Sequence, residues 1–172
     1  DRDTSGLVLL AKNPYSSCVL SDAVKDHTIH REYAAIVSGK TDASGTIDLP
    51  IARKDGSTIE RVLDPERGET AVTHYRTFAY NKNADLSFIR LLLETGRTHQ
   101  IRVHMKAIGH PLPGDFLYCP DYRFIDRQPL HSTYLSFSHP VTGEKLEFSA
   151  PLPGDMRKLF PNIKDPSGPV FY

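Results

Sequence analysis

The sequence has no surplus of charge: Lys and Arg total 21, and so do Asp and Glu. No global field therefore draws it toward a polyanion, and any contact with nucleic acid has to rest on a local basic patch. Cysteine is scarce. Cys18 and Cys119 are far apart and in no metal-ligand spacing, which fits a reduced, cytoplasmic protein better than a disulfide scaffold. No apolar run reaches the ~18 residues of a membrane span, and no secretory leader is visible. Repeats and low-complexity tracts are missing too. So are a phosphate-cradling Walker loop, a dinucleotide fingerprint and a Gly-x-Ser-x-Gly elbow, which leaves three large enzyme classes with little support. An initiator Met is also lacking, and we read the chain as an N-terminally incomplete part of a longer protein that begins beside its first functional residue.

What is present suits one domain. A length of 172 residues with 39% hydrophobic content can build a real core. Thr4 to Lys12 reads as a buried strand. Asn13 and Pro14 open a helix that runs to Lys25. Glu32 to Ser38 reads as a strand closed by Gly39, and a short strand is expected from Ile47 to Ile51. Thr70 to Tyr80 and Leu86 to Glu94 are two long strands joined by a hairpin, and Leu135 to His139 with Lys145 to Ser149 form another. A final short helix is expected from Asp155 to Phe160. The fold class is α+β, a mostly antiparallel mixed sheet with a few short helices.

The segment from Gly96 to Pro111 differs in kind. Thr98 is a plausible N-cap and Gly109 with Pro111 a stop. Ile101, Met105 and Ile108 then share one helical face, while His99, Arg102 and Lys106 gather on another. His99 and His104 diverge by roughly 140° on a helix and point to opposite faces on a strand, so a metal site is not expected. Arg97 stands just before the helix, a good place for a rigidly held cation. At the other end of the chain, Asp1 precedes Thr4-Ser5-Gly6, where packing of the following strand can hold a carboxylate in place.

These blocks together resemble a known family. Asp1-x-x-Thr4-Ser5-Gly6 is similar to the end of the His-Arg-Leu-Asp-x-x-Thr-Ser-Gly signature of the RluA/RluD family of pseudouridine synthases. Arg31 to Gly39 resembles its second motif, and Leu93 to Met105 its third, almost residue for residue. Gly109 to Asp115 and Arg127 to Ser132 fall where that family has similar blocks, so the likeness runs from Asp1 to about Pro153. The resemblance implies a cofactor-free, metal-free isomerase that converts uridine to pseudouridine in structured RNA. Large-subunit ribosomal RNA is the first expectation, with tRNA as the alternative; a silent RNA-binding protein on the same scaffold is the rival. It implies that Asp1 is the essential carboxylate. A working carboxylate must stay ionised in a partly dry pocket, and Arg97 is expected as its partner. Tyr33 would offer a ring face and a hydroxyl beside the flipped base. Arg2, Thr4, Arg53, His99, Arg102 and His131 are the expected RNA-contacting set, His131 as a satisfied buried histidine behind the site. A monomer is expected, with His-Arg-Leu ahead of Asp1 and room upstream for the small S4-type RNA-binding domain common in this family.

Overall fold

The computed structural model describes residues 1–164 and 168–171. In chain order the elements are β1 (Ser5–Gly6), α1 (Pro14–Lys25), β2 (His30–Ser38), β3 (Ser44–Asp48), β4 (Ile51–Arg53), β5 (Arg61–Leu63), β6 (Val72–Asn81), β7 (Leu86–Leu93), α2 (Gln100–Ala107), β8 (Leu130–Ser138), β9 (Lys145–Ser149) and α3 (Gly154–Leu159). Among the described residues one sheet runs in the order β1-β8-β2-β7-β6-β3, with β9 on β8, while β4 and β5 form a separate small ribbon. Of the pairings among the described residues, only β1–β8 is parallel. The structure is thus the expected α+β architecture.

The central strands explain the rest. Ala34, Ala35, Ile36 and Val37 of β2 are all fully buried, as are Phe88, Ile89 and Leu91 of β7. A run buried on both faces needs cover on both sides, and here two helices supply it. Ala35, Val37, Ile89 and Leu91 face Ile101 and Met105 of α2. Their alternates, Ala34, Ile36 and Phe88, face Met156 of α3 and Leu152 and Phe160 beside it. The strand period of two therefore divides the protein into a front face under α2 and a back face under α3.

Local chemistry sets the ends of these elements. Asn13 Oδ1 accepts from Ser16 N–H at 2.8 Å, capping α1 with Pro14 in its first turn. The N-terminal turn is pinned against β8. Gly6 has φ +99°, and a Cβ there would sit 2.2 Å from the Ser132 carbonyl oxygen, so only glycine fits. Arg127 reinforces this junction: its Nη1 donates to the Asp3 carbonyl (3.1 Å) and the Leu130 carbonyl (3.3 Å), while Asp155 of α3 holds its other nitrogens.

Several boundaries differ from those read off the residues. The strand expected from Thr4 to Lys12 is limited to Ser5–Gly6. Leu7 and Leu9 do pack on Leu20, Ile29 and Phe137, but Val8 and Leu10 are 76% and 79% exposed, so one face is buried instead of two. The strand expected from Ile47 to Ile51 is split at Pro50, which lacks the ladder donor. α2 begins after His99, which takes a left-handed φ of 58°. Thr98 is not the cap. No side chain caps the first turn; Gln100 instead holds the preceding connection, its side-chain oxygen accepting from Arg97 N–H (2.9 Å) and from the Thr95 hydroxyl (2.8 Å). Nor is there a solvated basic helix face, since Arg102 is 1% exposed and only Lys106 of the expected trio reaches solvent freely.

Candidate functional site

A cavity of about 300 Å³ opens where the N-terminal turn, β2 and the β7–α2 connection meet. Asp1, Thr4, Arg31, Tyr33, Arg97 and His99 contribute to its wall. The Asp1 carboxylate is 16% exposed and receives the Thr4 hydroxyl at 3.4 Å. Its nearest cation is Arg102, whose Nη1 lies 3.8 Å from Oδ2. His99 Nε2 lies 3.7 Å from Oδ1.

Arg102 is itself held firmly. Asp115 grips its Nε and Nη2 at 2.6 and 2.7 Å, and both side chains are 1% exposed. Asp115 Oδ1 also accepts from the backbone N–H groups of Leu117 and Tyr118. The guanidinium lies over the rings of Tyr118 (4.9 Å) and Phe116 (5.5 Å). A bidentate pair of this kind fixes orientation as well as charge. Two of the three guanidinium nitrogens are consumed by Asp115, and the third points toward Asp1.

His99 is fixed from the other side. Arg61 N–H donates to the Tyr118 hydroxyl oxygen at 2.9 Å, and that hydroxyl meets His99 Nδ1 at 2.9 Å. With a carboxylate facing Nε2, the favoured arrangement has Tyr118 donating to Nδ1 and the ring proton on Nε2. Burial, followed by the charges of Arg102 and Arg61, lowers the His99 pKa to about 4, so the ring is neutral at neutral pH. Burial raises the Tyr33 pKa, against a smaller opposing effect from the Arg31 charge. The Tyr33 hydroxyl consequently keeps its proton.

The structure does not bring all the expected residues together. Asp1, Thr4, Tyr33, Arg97 and His99 share the cavity. Arg97 does not pair with Asp1: it ion-pairs with Glu69, and its Nε donates to the Thr70 carbonyl at 3.0 Å. The guanidinium facing Asp1 is Arg102, which is also too buried to serve as an open RNA contact. Arg53 lies in an adjoining groove of about 320 Å³ with Arg61, Arg67 and Glu69, and that groove shares Gly96, Arg97 and Thr98 with the cavity. Arg2 is a surface residue paired with Asp3 and set 4.8 Å over Phe116. His131 is 4% exposed, with Ser5 Oγ on Nδ1 at 2.9 Å and the Ala150 carbonyl near Nε2, so it braces β1 and has no RNA-facing side.

Three site residues escaped the sequence reading. Asp115 and Tyr118 lie beyond α2 and reach Arg102 and His99 only through the fold, with no periodicity to announce them. Arg31 did carry a signal. It stands two residues before Tyr33 on β2, and strand alternation brings both to the cavity.

The family described as RNA pseudouridylate synthase matches residues 1–107. An uncharacterized RNA pseudouridine synthase of Bacillus subtilis, YjbO, is 51% identical over 160 residues, which cover 92% of this chain and 56% of that protein. Ribosomal large subunit pseudouridine synthase D of Vibrio cholerae is 44% identical over 173 residues, covering 92% of this chain and 52% of that one. The chain thus spans about half the length of the curated relatives it matches. The solved structure of human RNA pseudouridylate synthase domain containing 1 superposes with a TM-score of 0.69 at 27% identity, covering 82% of this chain and 62% of that one.

Proposed function

Since the chain belongs to the RNA pseudouridylate synthase family, in its RluA/RluD branch, we propose that it is the catalytic portion of an enzyme that isomerises uridine to pseudouridine in structured RNA, with Asp1 as the essential carboxylate. The N1–C1′ bond of the nucleotide breaks and a C5–C1′ bond forms, the C5 proton leaves, and N1 gains one, so mass is conserved. The observation that carries this reading is the Asp1 carboxylate held within a cavity between Arg102, at 3.8 Å, and the neutral His99. Arg102, anchored by Asp115, supplies the cation that a working carboxylate needs in a partly dry site. Tyr33 offers a ring face for the extruded base and a protonated hydroxyl near C5.

The adjoining groove supports RNA as the partner. Arg53 and Arg61 face each other directly across the β4–β5 ribbon. Like charges so placed destabilise a strand pair, and an RNA backbone phosphate would relieve the strain. Large-subunit ribosomal RNA is the proposed substrate because relatives such as that of Vibrio cholerae are described as ribosomal large subunit enzymes; tRNA is the alternative. We further take the protein to act in the cytoplasm as a monomer.

Carbodiimide mapping of ribosomal and transfer RNA, from cells with and without the gene, tests this reading. The expected result is one or more pseudouridine stops in large-subunit RNA that vanish with the gene. Loss of stops in tRNA alone moves the substrate to tRNA, and unchanged maps in both pools overturn the assignment. Release of free uracil would instead identify a hydrolase.

A further inference from the structure

Among the described residues, Arg31 is the one arginine of the cavity wall without a partner. Arg97 is held by Glu69 and Thr70, and nearby Arg102 by Asp115. Among the described residues Arg31 makes no hydrogen bond and no ion pair, and its Nε is buried without a partner. A buried donor of this kind costs free energy, more so on a charged group, and calls for an explanation. The fold also makes space for it. A Cβ on Gly96 would lie 3.0 Å from Arg31 Nη1 and 3.2 Å from Nη2, tighter than a neighbour tolerates comfortably. Gly96 therefore lets the guanidinium lie flat against the β7–α2 connection.

Its position is informative. Gly96 belongs to both the cavity and the arginine groove, so Arg31 stands at the junction between them. A nucleotide extruded into the cavity remains joined to its strand through phosphates, and a strand following the groove brings one of these past Gly96. Building on the uridine isomerase reading, we propose that Arg31 is the receptor for a phosphate of the extruded nucleotide, fixing the sugar and the base relative to Asp1. The planar fork of an arginine suits two phosphate oxygens at once. Anchoring a non-reacting part of the substrate is also an established way to spend binding energy on orientation.

The test is titration of the protein and of Arg31→Gln with uridine, uridine 3′-monophosphate and uridine 5′-monophosphate, following arginine side-chain N–H resonances. In the wild type one of the two monophosphates binds about tenfold tighter than uridine and shifts the Arg31 signal, as expected for one charge-assisted contact. Arg31→Gln abolishes that preference and leaves uridine affinity within about twofold, and Arg31→Lys restores part of it. A wild type without phosphate preference overturns the inference, as does a variant that keeps it. The adenosine monophosphates separate the two readings: equal binding of adenosine and uridine nucleotides, with the Arg31 dependence intact, sustains the phosphate site while counting against a uridine enzyme.

Discussion

The two faces of the central sheet each hold a fully buried arginine, and they close in different ways. On the back face Arg90 Nη2 donates to Glu32 Oε2 at 2.9 Å and to the Gly168 carbonyl at 3.3 Å. Glu32 is saturated in turn, accepting from His30 Nε2 and from the backbone N–H groups of Val170 and Phe171. The C-terminal residues Val170 and Phe171 thus join a buried network with Glu32 and Arg90. On the front face Arg102 and Asp115 form an equally buried pair, but Arg102 Nη1 is left over and faces Asp1 at 3.8 Å. One network ties strands to the C-terminal residues, and the other leaves a guanidinium nitrogen turned toward Asp1. The same chemistry makes scaffold on one side and a site on the other.

The sharpest break of this comparison is Asp1→Asn. It removes the group that the open network is aimed at, so turnover should fall by at least about 10³-fold. Circular dichroism, thermal midpoint and RNA affinity should stay close to the wild type. Retained pseudouridine formation would remove Asp1 from the chemistry.

Arg102→Met comes next. It leaves Asp115 buried and unpaired, at a cost of about 3–5 kcal/mol in denaturant unfolding. A second variant separates fold from function. Arg102→Met with Asp115→Asn removes both charges, keeps an acceptor for the Leu117 and Tyr118 N–H groups, and should regain part of the lost stability because no buried charge is left unpaired. Turnover should not return, since Asp1 still lacks its cation. A stable and active double variant would show Arg102 to be scaffold like Arg90.

How much of this was legible in the residues depends on distance along the chain. The central strands were readable because burial on both faces demands continuous apolar runs such as Ala34 to Val37. The Asn13 cap and Pro14 fixed the start of α1 locally. Asp1, Tyr33 and His99 were recognisable as site candidates from their motifs, and all three line the cavity. The partner of Asp1 was not. Arg97 and Arg102 both belong to the same short segment, and which one turns inward depends on Asp115 and Glu69, contributed by loops that linear spacing does not locate. The exposure of Val8 and Leu10 was equally hidden, because alternation of similar aliphatic residues looks identical whether one face or both are covered.

The back face gives a smaller and opposite prediction. Glu32→Gln keeps the shape and several acceptors but discards the charge facing Arg90. Stability should fall by about 1–3 kcal/mol, the range for losing charge-assisted hydrogen bonds. Turnover per folded molecule should not change, because the network shares no atom with the cavity. A tenfold loss of turnover at full folding would mean the two faces are coupled through β2, which carries Glu32 and Tyr33 side by side.

The smallest effect concerns protons at the front face. His99 has a folded pKa of about 4, against about 6.5 for an unperturbed histidine. Between those values the unfolded chain binds more protons than the folded one, so the contribution of His99 to stability is complete above about pH 6.5 and is lost as pH falls toward 4. The slope from this group is at most about 1.4 kcal/mol per pH unit. Arg102 and Arg61 lower the pKa and Asp115 raises it, so the sign reflects burial reinforced by two cations. His104, also lowered by burial, adds a slope of the same sign from beneath β6. His99→Gln should therefore flatten the pH dependence of the unfolding midpoint only in part, and His104→Gln should flatten it further. No change in slope for His99→Gln would mean that the ring is not held neutral beside Asp1, and that the front network is more solvated than its distances imply.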